Sequence, residues 1–146
     1  MSTSRYVWKD GSCTITLDTT VLDRIVKEMP EKTHKAVRTL AFQAEGYMKM
    51  FAAVDTSAMR NSIAVSMLRG GDASGAQSAA RAASGEAEIT PLPKPPNDYS
   101  AYIGPQVDYA IYQEFGTYRM ASHPFVMPGI DMAARDFEHV WGDLFK

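Results

Sequence analysis

Cysteine is nearly absent. Cys13 is the single thiol in 146 residues. One thiol closes no internal disulfide, so the fold has to rest on packing, and the count suits a reducing compartment. Long apolar runs are missing too. No stretch reaches the roughly 18 residues that span a bilayer, and Met1-Ser2-Thr3-Ser4-Arg5-Tyr6 has no apolar signal core. The expectation is a protein made in a cytoplasm, with no membrane contact. Charge of one sign is also scarce. Fifteen basic and seventeen acidic residues leave a net charge of −2, with a pI of about 5.9. A dedicated nucleic-acid binder shows a basic excess or a basic stripe, so a DNA-binding module is disfavoured. Passage of DNA along a wall that does not grip it is not.

Histidine is rare as well. His34, His123 and His139 form no H-x-x-x-H pair and have no paired cysteine, so neither a metal nor a cofactor is expected. His34 and His139 read as surface residues. The carboxylates Glu86, Glu88, Asp108 and Glu114 show no spacing that favours an acid–base pair over solvated surface charge. Gly70-Gly71 and Gly75 match no phosphate-cradling loop. A small cytoplasmic, hydrolase-like enzyme using Cys13 or His123 remains as the alternative function. Cys13, after Gly11-Ser12, reads more simply as a small packed residue.

What is present reads as one domain over 1–146, with 45% apolar and 22% charged residues. Tyr6-Val7-Trp8 and Ile15, Leu17 flank the turn signal Lys9-Asp10-Gly11-Ser12 and predict a hairpin. Val21, Leu22, Ile25, Val26 and Met29 predict a helix that Pro30 ends. From Lys32 to Ala53, residues Ala36, Val37, Leu40, Ala41, Ala44, Tyr47, Met48, Phe51 and Ala52 form one stripe of a long helix. Ser62–Met67 alternates as a strand. Residues 70–98 form an insert: Gly/Ala/Ser-rich to 85, then Pro91, Pro93, Pro95 and Pro96 on an extended path. With no large apolar side chain between 70 and 86, it reads as a flexible loop or arm. Glu86–Thr90 and Tyr99–Ile103 predict strands, Val107–Phe115 a short helix, and Gly116 its stop. Pro128 opens a C-terminal helix with Ile130, Ala133, Ala134, Phe137, Val140, Trp141 and Leu144 on one stripe. The predicted class is α+β, a small antiparallel sheet packed against a long helix and a C-terminal helix. The nine methionines read as core filling, or as adaptable subunit contacts.

Two segments carry a family resemblance. After the long helix comes Val54-Asp55-Thr56-Ser57-Ala58-Met59-Arg60-Asn61-Ser62-Ile63. Further on, Tyr109-Ala110-Ile111-Tyr112-Gln113-Glu114-Phe115-Gly116-Thr117 is followed by Pro124-Phe125-Val126-Met127-Pro128. Together they resemble the siphophage neck and tail-completion proteins, small head–tail joining subunits. That family's pattern is Asp-Thr-Gly with Leu-Arg-x-Ser-Ile, then Tyr-Ala-x-x-x-Glu-Phe-Gly-Thr with Pro-Phe-x-x-Pro. Here Ser57 and Met59 stand where Gly and Leu are usual.

The resemblance covers roughly residues 20–69 and 99–145. It implies a non-enzymatic virion protein, assembled in the bacterial cytoplasm into a closed, six-fold ring between the head-closure or connector protein and the tail tube or terminator. DNA would pass through it without sequence-specific binding. The motif residues also have plain structural readings. Asp55 or Thr56 caps a turn, and Arg60 answers a carboxylate or a backbone carbonyl. Tyr109, Tyr112 and Phe115 supply buried aromatic area, and Pro124-Phe125 pins the chain to the core. Expected contacts to a neighbouring subunit or the channel are Gly75, Arg81, Lys94, Met120 and His123, with Glu114 and Thr117 as further contacts.

Overall fold

The computed structural model describes residues 5–10, 13–18, 20–52, 57–69 and 89–144. The chain divides into two compact units, Met1–Thr33 and His34–Lys146. The first holds β1 (Arg5–Asp10) and β2 (Cys13–Asp18), which pair antiparallel from Arg5 opposite Asp18 to Asp10 opposite Cys13. The hairpin predicted around Asp10-Gly11 is therefore present, although Gly11, Ser12 and the Cys13 thiol lie outside what is described.

α1 (Thr20–Phe51) begins in the first unit and continues into the second. It corrects the prediction that Pro30 ends a helix. Pro30 lies inside α1, where it removes one bond, to the Val26 carbonyl. The surrounding turns are exposed, with Val21, Ile25, Val26 and Met29 all open. Water can take up the orphaned carbonyl there, so one missing donor does not break the helix.

In the second unit the inward face of α1 is mostly small: Ala36, Ala41, Ala44 and Met48 are buried, while Phe51, predicted on the buried stripe, is exposed. The turn cap predicted at Asp55 or Thr56 lies outside the described residues, and α2 (Ser57–Ser62) follows. β3 (Ala64–Ser66) follows and pairs antiparallel with β4 (Tyr102–Gly104), Ala64 opposite Gly104. The alternation predicted a strand with one wet face. Instead Ser62, itself buried, ends α2, the strand is only Ala64–Ser66, and its neighbours Ala64 and Val65 are both buried, so both faces are covered there. Ser62 is tolerated there because its hydroxyl donates to the Met59 carbonyl (2.7 Å) and the Gln106 amide reaches its backbone carbonyl (3.4 Å).

Residues 70–88 lie outside the described residues, so the arm reading of that stretch stays an expectation. The remainder of the insert is held down. Ile89 bridges to Val107, Pro95 is buried, and the Ser66 hydroxyl donates to the Pro93 carbonyl at 2.8 Å. Two short elements complete the unit, α3 (Ala110–Phe115) and α4 (Val126–Leu144).

The fold is α+β: in the second unit long α1 packs on C-terminal α4 with the small antiparallel β3–β4 pairing, and the first unit holds the β1–β2 hairpin. The main core joins Met48, Ala52, Met59, Ile63, Val107, Ala110 and Phe125. A second cluster of Ala41, Val65 and Met67 lies alongside. Phe125 is buried to the last atoms, a gain of about 1.5–3 kcal/mol relative to leaving it exposed. Of the Pro124-Phe125 anchor predicted from sequence, Phe125 is thus in place, while Pro124 is exposed.

Candidate functional site

The second motif folds into a corner between α3 and α4. α3 has six residues, so only one face can look inward, and that face is Ala110 and Glu114, four residues apart. Ile111, Tyr112 and Phe115 point outward, Phe115 being 75% exposed. This corrects the expectation that Tyr112 and Phe115 bury aromatic area; only Tyr109 is half-buried. The short helix turns its smallest residue and its carboxylate inward and its largest residues to solvent.

Glu114 explains the inversion. Its carboxylate accepts three backbone N–H groups from the start of α4: Phe125 (2.8 Å) and Val126 (2.9 Å) on Oε2, and Met127 (3.1 Å) on Oε1. The opening N–H groups of a helix have no partner within the helix, and the helix dipole favours a negative charge beside them. A carboxylate eleven residues back in the chain therefore caps α4. Glu114 is buried, not the solvated charge its spacing suggested. Burial alone would push its carboxyl pKa up; the three N–H donors outweigh that and hold it below the ordinary value.

The connection between the two helices is equally defined. Gly116 has φ 76°, ψ −179°, and its N–H reaches the Tyr112 carbonyl at 2.9 Å. A Cβ there would lie 2.8 Å from both the Met120 carbonyl oxygen and the Ser122 nitrogen. Gly116→Ala is expected to cost about 1–3 kcal/mol, read as a lower urea midpoint with the helical circular dichroism retained. Thr117 and Met120 exchange backbone bonds across a tight turn, and the Thr117 hydroxyl accepts from the Met120 amide at 3.2 Å. Tyr118, 89% exposed, sits at the tip with the Arg119 guanidinium 4.9 Å over its ring. The His123 amide returns the chain to the Gln113 carbonyl at 2.8 Å.

An open groove of about 320 Å³ runs along this corner, lined by Pro105, Asp108, Ile111, Phe115 and Met127 among others. Its one buried ionisable group, Glu114, is already committed to three donors. No free acid–base pair faces it, and the His123 imidazole is exposed outside that lining. Among the described residues no group of three His, Cys, Asp or Glu side chains is placed to hold a metal ion.

The structure brings Tyr109, Ala110, Glu114, Gly116, Phe125 and Pro128 together in this corner. Thr117, Met120, His123 and Pro124 form its outer loop. Ser62 belongs to the core behind it. Arg60 and Lys94 are exposed elsewhere, while Gly75 and Arg81 lie outside the described residues. Sequence reasoning missed Gln106, buried against Ser62, because a lone Gln in a Pro-Gln-Val context carries no periodic signal. It also missed Gly129. A Cβ there would come 2.5 Å from Met48 Cγ and 2.9 Å from the Met48 nitrogen, so the helices touch at this point. A glycine inside an otherwise helical pattern was the available signal. No family model, curated protein or solved structure matches this chain.

Proposed function

We propose that this chain is a structural, ring-forming subunit of the head–tail junction of a tailed bacteriophage, joining the tail to the capsid connector around the path of the DNA. The observation that carries the reading is the Tyr109–Thr117 motif with its Pro124-Phe125 partner. Glu114 and Phe125, one from each half of the motif and eleven residues apart in this chain, meet through the N–H of one and the carboxylate of the other. The motif thus reads as a device for holding a corner, and the corner holds Ile111, Tyr112, Phe115 and Tyr118 out to solvent. Clusters of exposed large side chains are characteristic of surfaces that another protein covers.

In this reading copies of the chain associate head to tail, one patch meeting a different patch on the next copy, which closes into a ring. The partners are the connector or head-closure protein on one side and the tail tube or terminator on the other. Native mass spectrometry of the purified chain is expected to give one closed assembly, six-fold by the resemblance. Lysates lacking the chain are expected to show filled heads and separate tails. Cys13→Ala and His123→Ala should leave infectious particles intact. A chain that stays monomeric at every concentration, and whose removal leaves tailed particles whole, would exclude this function. Loss of infectivity in either single variant, with folding and assembly into particles preserved, would favour the hydrolase-like alternative.

A further inference from the structure

α4 carries two apolar faces, and only one of them meets α1. Gly129, Ala133 and Asp136 share the face turned to α1. Gly129 abuts Met48, and the Tyr47 hydroxyl donates to Asp136 at 2.6 Å. The other face is a separate row: Met127, Ile130, Ala134, Phe137, Trp141 and Leu144, spaced three, four, three, four and three residues apart. Met127 (57%), Ile130, Ala134 and Phe137 (47%) are exposed. Phe137 and Trp141 stack at 5.7 Å and give the row its bulk.

The spacing says what shape covers this row. A row that alternates three- and four-residue steps, as a 3.5-residue repeat does, keeps its side chains aligned along one seam, and such a seam can be matched by another helix lying along it. The positions following Ile130 and Phe137, which border such a seam, are Asp131 and Glu138; both are exposed. Bordering charges select the partner of a paired helix. Acidic ones favour a helix edged with lysine or arginine, and disfavour an anionic lipid surface.

The same border argues against a second copy of α4. In an antiparallel pair the acidic border of one helix would face that of the other, carboxylate against carboxylate. In a parallel pair it would face the opposite border, Ala133 and Val140, and Ala133 is buried in its own unit.

We propose that the outer seam of α4 is a docking site for an amphipathic helix of another protein, one with an apolar 3.5-residue repeat bordered by basic residues. This goes beyond the ring reading and does not depend on it.

The test uses the full chain carrying Trp8→Phe, so that Trp141 is the sole tryptophan and reports on the seam. Two synthetic 21-residue helical peptides serve as probes. Both have leucine along the seam, one bordered by lysine and the other by glutamate. The lysine-bordered peptide is expected to shift the Trp141 emission and to bind at least tenfold more tightly than its twin. Phe137→Ala, a change at an exposed side chain, should weaken that binding at least tenfold with circular dichroism unchanged. The double variant Asp131→Lys, Glu138→Lys should invert the preference between the peptides. The proposal is overturned if neither peptide perturbs Trp141, if both bind alike, or if charge reversal leaves the preference as it was. It is equally overturned if sedimentation shows the chain pairing with itself in a way that Phe137→Ala abolishes.

Discussion

Glu114→Ala is expected to lower the stability of the second unit by about 3–4 kcal/mol, taking hydrogen bonds to a charged acceptor at about 1.5–3 kcal/mol each and allowing that three on one carboxylate do not add. The variant strands the Phe125, Val126 and Met127 amides at a partly buried helix start and removes the link from α3 to α4. Glu114→Gln keeps one carbonyl acceptor but turns an NH2 group toward N–H donors, so it should lose about 2–3 kcal/mol by the same reasoning. Urea unfolding at pH 7 measures both.

The pH dependence follows in sign. The folded-state pKa of Glu114 lies below its ordinary 4.5. Its contribution is therefore complete above that value, and it is lost as pH falls through the lower folded-state value. The gap between wild type and Glu114→Gln should be flat from pH 7.5 to 5.5 and narrow below about 4.5. A gap that is already absent at pH 7, or that widens in acid, would show that the carboxylate is not the cap described.

Gly129→Ala is expected to cost about 3 kcal/mol, the upper end of ordinary overpacking, and to lower Tm by roughly 10 °C for a unit of this size. A β-carbon at Gly129 meets not only the end of the Met48 side chain but also its nitrogen at 2.9 Å and its Cα at 3.1 Å. A flexible thioether can move; backbone in the middle of α1 cannot move without carrying the helix with it. Met48→Ala should therefore fail to rescue Gly129→Ala. Gly46 and Gly142 provide the control, since a Cβ at either meets nothing within 4 Å. Alanine at those two helical positions should raise stability by about 0.5–1 kcal/mol each. Equal behaviour of all three glycine variants in calorimetry would refute the close helix crossing.

The long-range pattern of the chain was legible because it is periodic. The stripe that forms the second half of α1, the hairpin flanking Asp10-Gly11 and the short helix before Gly116 all follow from spacing and turn residues. Pro30 misled because its penalty is local, and a helix with exposed neighbouring turns can absorb it. The outward direction of Phe115 could not be read from sequence. Size and apolarity argue for burying Phe115, and only the demand of the α4 amides for a carboxylate turns Glu114 inward in its place. On α4 five seam residues, Ile130, Ala134, Phe137, Trp141 and Leu144, look like one stripe with Ala133 and Val140 until the uneven three–four rhythm is separated from the Gly129–Ala133 face. The motif was recognisable as a sequence pattern, but which of its members are buried was set by tertiary partners far along the chain.

The β3–β4 pairing has a consequence for how this chain can vary. The chain leaves that pairing at Ser66 and returns to it at Tyr102, so forming it means closing a long loop. The entropy of closure grows only logarithmically with loop length, about 0.6 kcal/mol for each doubling. The anchors Ile89, Pro93 and Pro95 bind the returning limb near its end. The length of chain between Arg69 and Ile89 can therefore change at little closure cost to this pairing, while its register and the Glu114 corner stay as they are.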